Sequence, residues 1–423
     1  MMFGLLKQKL SALPCAGWEL TENARRGWEF YFIRRALDQN RAVETRDYEA
    51  RVYVAGGNDG LGSAAAAISP TASEAEIDKT LSELLFRAGL VQNPAYRLSA
   101  ERIELPWRTE RVDVESISEQ FLRVLRAAPE TEHEDINSCE LFVSERRRHT
   151  LNSNGVEYCC VYPSSMLELV VNARRAGREI ELYRNFRSGD CDAETLERDI
   201  AAALRFGRDR LAAEPTPKLE VIDVLFSTAD AVELYRYFAG RMDASMKYRR
   251  LSDWETGESV GAGDALCLEA LPTLENSSKN FPVDAEGSLI RPRFLIRNGK
   301  AENFWGSRQF SEYLGLRDSS IVYNFRACGG ADSAAALREG DCLELVEFSD
   351  LSVDPVGGDL AGEIRLGYLR RDGETRIVTG GSVSGNLRRA MPGLRMSRDT
   401  VRYDNWEIPA VTRLGGLRIA GVE

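Results

Sequence analysis

Few residues in this chain are equipped for chemistry, and their types narrow the reactions open to it. Its 423 residues include two histidines and eight cysteines. His133 lies in the acidic run ETEHEDINSCE, and His149 closes the run ERRRH. A Ser-His-Asp hydrolase would have to use one of these two. A zinc site with two histidines on one helix is excluded, because no helical stretch carries both. His133-Glu134 opens like such a motif, but Ser138 and Cys139 follow where a second histidine would stand. The cysteines show no metal-ligand spacing. Candidate nucleophiles include Ser384 and Cys328, the latter in the turn ACGG after Asn324-Phe325-Arg326. A thiolate needs a cationic neighbour, and Arg326 is placed to supply one.

The remaining candidates share one stretch, VIDVLFSTADAVELYRYFAGRMDASMKYRRLSDWETGESV, from Val221 to Val260. It reads as a buried strand, Val221–Phe226, feeding a helix that runs to about Met246. Val232, Leu234, Tyr235, Phe238, Ala239 and Met242 recur at helical spacing, and Ser227, Thr228 or Asp230 can cap its start. This helix offers Glu233, Tyr237 and Asp243, with neither histidine nor cysteine.

Around that stretch the pattern predicts an α+β protein of two domains, residues 1–214 and 215–423, divided at the proline-rich step Glu214-Pro215-Thr216-Pro217. After a short amphipathic N-terminal helix come strands at 28–34, 43–55 and 62–69. The last two are joined by GGNDGLG, a hairpin signal at Asn58-Asp59-Gly60. No helix opens after that loop, so it lacks the context of a dinucleotide-binding turn. A helix from Ser73 to Leu90 follows, with Glu76 completing a capping box. The order then recurs: a helix over 112–128, strands at 140–152, 156–171 (Pro163 as a candidate break) and 179–186, and a helix from Asp192 to about Ala213. Helix–three strands–helix twice over suggests a duplicated unit. Beyond the boundary, short strands alternate with turns such as Asn298-Gly299. That spacing predicts a mostly antiparallel, barrel-like β domain with the strand–helix entry described above.

Hydrophobic content of 43% with 29% charged residues describes a globular chain. A net charge of −11 argues against a general nucleic-acid partner, and Arg146-Arg147-Arg148 reads as a solvated strand face. No apolar run approaches the ~18 residues of a membrane span. Scattered cysteines point to a reducing, cytoplasmic compartment.

The order of the C-terminal motifs is specific. Asp284-Ala285-Glu286-Gly287 precedes LIRNGKAENFW, a short helix ending LGL, and YNFR. Asp354-Pro355-Val356-Gly357-Gly358-Asp359, Arg371-Asp372-Gly373-Glu374, Ser384-Gly385-Asn386-Leu387 and Ile419-Ala420-Gly421 follow in turn. This series resembles the second domain of the TldD/PmbA family, cytoplasmic peptidases also called modulators of DNA gyrase, in which two related subunits combine. The resemblance implies that one subunit type carries H-E-x-x-x-H on the helix after the first strand of this domain, with a later cysteine completing a zinc site. The PmbA (TldE) type lacks those ligands. The motif falls at Val232-Glu233-Leu234-Tyr235-Arg236-Tyr237, where only Glu233 matches; no histidine follows His149 and no cysteine follows Cys342. A lone glutamate without a metal-bound water has nothing to activate. The chain is therefore expected to be a PmbA/TldE-like subunit with no metal and no cofactor, Glu233 and Tyr237 marking the vestige of the site. The resemblance also implies a homodimer, or a heterodimer with a zinc-bearing TldD-like subunit, acting on peptides or unfolded proteins. Asn324, Arg326 and Asn386 match family segments and are the expected substrate contacts, since Asn and Arg can bind a peptide backbone or carboxylate. Two other readings stand beside it: an autonomous peptidase using Cys328, and a module binding extended peptides by β-addition without a proteolytic partner.

Overall fold

The computed structural model describes residues 2–422 apart from 58, 92, 262 and 318. After helix α1 (Met2–Ser11), strands β1 (Gly17–Ile33), β2 (Ala36–Ala55) and β3 (Gly60–Ile68) form a meander closed by α2 (Glu74–Leu90). Strand β4 (Asn93–Pro94) and α3 (Val114–Ala127) lead to a second meander, β5 (Glu134–Asn152), β6 (Glu157–Arg175) and β7 (Arg178–Ser188), closed by α4 (Ala193–Ala212). All seven strands join one sheet in the order β4-β3-β2-β1-β5-β6-β7. The two units of the sequence pattern therefore share a sheet, with β1 antiparallel to β5 at their common seam.

The helix starts follow side-chain capping. The Ser73 side chain accepts from Glu76 N while the Glu76 side chain accepts from Ser73 N. Asp113 and Asp192 cap α3 and α4. Of the expected hairpin tip, Asn58 lies outside the described residues; Asp59 is left-handed at φ 56° and Ala55 pairs with Leu61. Strand β1 begins eleven residues earlier than the pattern suggested, because β2 and β5 hydrogen-bond both of its edges despite its charged sequence. Gly27 is required there, since a Cβ would stand 2.0 Å from Val143 O. Strand β6 continues through Pro163. Pairing with β7 starts at Ser165, so on that side Pro163 has no ladder in which to miss a donor.

The C-terminal half begins with β8 (Glu214–Pro215) and β9 (Leu219–Phe226), then α5 (Val232–Arg241) and α6 (Ala244–Tyr248). Next come β10 (Cys267–Leu271), β11 (Arg293–Arg297), β12 (Lys300–Ala301), α7 (Arg308–Tyr313) and β13 (Asn324–Cys328). The chain continues with β14 (Cys342–Val353), β15 (Asp359–Arg371), β16 (Glu374–Thr379), β17 (Ser382–Asn386) and α8 (Leu387–Ala390). It ends in β18 (Arg395–Met396), β19 (Thr400–Tyr403), β20 (Trp406–Pro409) and β21 (Thr412–Ala420). Strands β14-β9-β21-β17-β15 pair in sequence, and β14–β15 pairing closes them into a five-stranded barrel. A second sheet, β12-β11-β10-β13-β20-β19, packs with it around one core. The α+β class and the barrel-like C-terminal half agree with the sequence reading.

The central helix differs in detail. It does not run to Met246: it stops at Arg241, and Asp243 accepts from Ser245 N to start α6. None of Ser227, Thr228 and Asp230 caps α5. The Ser227 hydroxyl instead donates to Glu344 Oε1 at 2.7 Å, a tertiary partner invisible in local sequence.

Candidate functional site

Helix α5 is buried on nearly every side: Val232, Leu234, Tyr235, Tyr237, Phe238, Ala239 and Arg241 are all below 7% exposed. A helix apolar all round belongs inside a core, and α5 shares its core with barrel residues Val224, Phe226, Leu343 and Leu345. Tyr235 Oη and Thr412 Oγ1 on β21, 2.6 Å apart, fix its rotation. Glu233 points outward, a third exposed, and accepts from Arg236 at 2.7 Å.

Tyr237 faces the turn that links β14 to β15. Gly358 there has φ +79°, and a Cβ on it would come within 3.2 Å of Tyr237 Oη, so this glycine is needed for both conformation and contact. One turn on, Arg241 is 1% exposed. It donates to Leu251 O at 2.6 Å and Val356 O at 3.0 Å, pairs with Asp253 and lies over Trp254. Arg388 on α8 donates to the other Asp253 oxygen at 2.8 Å. These two cations hold the Asp253 carboxyl below its ordinary range, the hydrogen bond from Arg388 contributing most.

Asn386 completes this corner. Its amide nitrogen donates to Gly357 O at 2.9 Å and Asp359 Oδ1 at 2.8 Å, and its oxygen caps α8 by accepting from Arg389 N. Leu387 N donates to Gly358 O at 2.7 Å. The Asp354–Asp359 turn, the Ser384–Leu387 turn and α5 thus converge, though far apart in sequence. In this arrangement Asn386 ties two turns together and leaves its amide spent on protein.

The other expected contacts lie elsewhere and are occupied. Asn324, fully buried on β13, donates to Pro272 O at 3.2 Å and Lys279 O at 2.9 Å and accepts from Ser277 Oγ at 2.6 Å. Replacing it with alanine removes all three bonds; Lys279 O keeps Phe281 N and Ser277 Oγ still accepts from Lys279 N, so we expect a loss of about 1–3 kcal/mol in chemical unfolding. Arg326 is bound to Glu407 at 2.9 Å and Glu269 at 3.5 Å. Cys328 stands opposite Cys267 on β10. Burial first, and then Cys267, raise its thiol pKa against the pull of Arg326, the reverse of what a nucleophile needs. Ser384 is exposed on β17, and among the described residues no base hydrogen-bonds its hydroxyl.

Sequence reasoning passed over Arg241, the residue that organises this corner. The signal was present: an arginine four residues after Tyr237 on an otherwise apolar helix, with Asp253 twelve residues further on. The α5 side chains do not fit a zinc ion. A valine and a tyrosine stand where the resemblance implies imidazoles, and a guanidinium supplies positive charge to the same turn. Among the described residues no three His, Cys, Asp or Glu side chains are grouped to hold a metal. No described helix is long and apolar enough to cross a membrane.

The architecture, a seven-stranded sheet joined to a closed barrel with a buried helix, recurs in solved structures along the full chain. TldE from Thermococcus kodakarensis matches at a TM-score of 0.79 with 16% identity, covering 99% of this chain and 100% of that one. A protein of Thermotoga maritima provisionally assigned as a modulator of a DNA gyrase matches at 0.78 and 16%, covering 99% of each. One from Bacteroides thetaiotaomicron with the corresponding assignment matches at 0.81 and 15%, covering 100% of this chain and 98% of that one. No curated protein matches the sequence. Residues 220–421 match the family model for the PmbA/TldA metallopeptidase C-terminal domain. The C-terminal half of the chain thus carries this family's domain, and the whole chain shares the fold of these structures.

Proposed function

We propose that this protein is a metal-free, PmbA/TldE-like subunit of a TldD/PmbA-type peptidase system. It acts as the partner or substrate-guiding subunit, with peptides or unfolded proteins as substrate. The observation that carries this reading is the packing of α5. Val232 and Tyr237 are buried at the expected ligand positions, Glu233 is turned outward into an ion pair with Arg236, and Arg241 fills the helix's inner face. A general base needs an activated water within reach, and Glu233 is engaged with a cation at the surface instead.

Zinc per chain, measured by elemental analysis together with native mass spectrometry on tag-free protein, tests the reading. We expect less than about one zinc per ten chains, no hydrolysis of a denatured protein by this chain alone, and recovery of a related zinc-bearing chain on copurification from the native host. Near-stoichiometric zinc, or hydrolysis lost on Glu233→Gln, would overturn it.

A further inference from the structure

Of the eight cysteines, all free, Cys267 on β10 and Cys328 on β13 are the two that stand directly opposite each other on paired strands among the described residues. Their neighbours Leu268, Ala270 and Ala327 are fully buried in the core. Strand alternation therefore turns both thiols to the outer face of the sheet, where each is half-buried and within reach of solvent. The strand ends are also held together beside them. Gly329, at φ 143°, brings the chain after Cys328 so close to Ala265 that a Cβ would stand 2.4 Å from Ala265 O.

The type of pairing sets how far apart the two residues lie. Phe325 N donates to Asn405 O, away from β10, and Leu266 O accepts from Gly299 N, away from β13. Backbone groups alternate in direction along a strand, so Cys267 and Cys328 turn theirs toward each other as a hydrogen-bonded pair. Such residues are about 5.5 Å apart at Cα, inside the range of roughly 4.4–6.8 Å that a disulfide spans. The two sulfurs are not equivalent. The backbone N–H of Asn298, left-handed at φ 49°, donates to Cys267 Sγ at 3.3 Å, a contact that favours a thiolate there. Cys328, held protonated by burial, suits the second step of an oxidation and not the first.

We propose that Cys267 and Cys328 are a peroxide-responsive dithiol, a site of reversible disulfide formation on the outer face of the second sheet. The Cys267 thiolate attacks one oxygen of a hydroperoxide, ROOH, and the O–O bond breaks. Sulfur is oxidised to the sulfenic acid, and the peroxide is reduced to ROH, which carries away the proton that Cys267 released. The Cys328 sulfur then attacks the sulfenic sulfur, forming the S–S bond and expelling hydroxide, which leaves as water with the Cys328 proton. Two thiols and ROOH thus give one disulfide, ROH and water. The site stands on the geometry of β10 and β13 and is independent of whether the chain serves a peptidase.

The test treats reduced full-length protein with a small excess of hydrogen peroxide and counts thiols by mass after alkylation in denaturant. Two of the eight thiols should be lost, a peptide map should show Cys267 joined to Cys328, and dithiothreitol should restore both. In Cys328→Ser protein Cys267 should stop at the sulfenic acid and be trapped by dimedone. In Cys267→Ser protein oxidation of Cys328 should slow by about tenfold or more. The peptide map of wild type decides the matter without any variant: if both cysteines stay reduced, or are joined to other cysteines, the proposal is overturned. Loss of the Cys328 thiol at an unchanged rate in Cys267→Ser protein overturns it as well.

Discussion

Replacing Arg241 with alanine is expected to destabilise the C-terminal half by about 2–4 kcal/mol, a drop of roughly 10 °C in its unfolding midpoint. The argument rests on what the guanidinium holds. It bridges Leu251 O, Val356 O and Asp253 from a position 1% exposed. Truncation leaves two carbonyls short of a donor and a cavity beneath Trp254. The value sits below that of a fully buried ion pair for two reasons: Asp253 is itself 61% exposed, and Arg241 Nε has no hydrogen-bond partner. Arg241→Met separates the contributions, since it restores most of the volume and none of the hydrogen bonds. We expect it to recover less than half of the loss. The turn at Asp354–Asp359, anchored through Val356 O, should become the first site cut in limited proteolysis of either variant. Unfolding of Arg241→Ala within about 1 kcal/mol of wild type would show that the guanidinium does not hold this corner together.

The same residue shows why part of this molecule was legible in its sequence and part was not. Local chemistry was readable wherever the cap and its helix are neighbours, as at Ser73 with Glu76 or Asp192 with Thr195. Alternation and turn residues placed the strands and the barrel-like half. Contacts between distant segments were not readable. Ser227 looks like a helix cap and is drawn instead to Glu344, 117 residues on. The first half of β1 looks too charged for a central strand, yet two neighbours supply its hydrogen bonds. Asn324, Arg326 and Asn386 were found as family-like polar residues, but nothing local reveals whether an amide is free for a ligand or already committed. The fold commits all three: Asn324 to a loop, Arg326 to two glutamates, Asn386 to two turns. The candidate site is thus defined less by the residues first singled out than by the helix that carries them.

Stability should fall as pH rises from about 5 to about 9, and Glu19 should account for much of the slope. Glu19, on β1, is 8% exposed and faces the C-terminal turn that carries Asp284 and Glu286. Burial pushes its carboxyl from 4.5 up to about 8, and the charge of Glu286 adds to this; a Tyr53 hydrogen bond and Arg51 pull the other way. Asp284 moves in the same direction, to about 7, although three backbone N–H groups favour its ionised form. Arg308 donates its backbone N–H to Glu286, and Tyr96 completes the ring of groups around the seam. Between about pH 4.5 and 8 the folded chain holds a proton on Glu19 that the unfolded chain has released. Ionising it in place therefore costs stability, roughly 5 kcal/mol at most once pH passes 8. Asp253 and Glu344 act in the opposite sense and in another window. Their pKa values are lowered, so the stability they contribute is lost only as pH drops below about 4. Glu19→Gln keeps the shape and a hydrogen-bonding end without the titration. Its unfolding midpoint should match wild type near pH 5 and exceed it by several degrees near pH 9. Parallel pH profiles for the two proteins would mean that Glu19 ionises without cost and that the seam between the N-terminal sheet and the Asp284–Glu286 turn tolerates three carboxylates side by side.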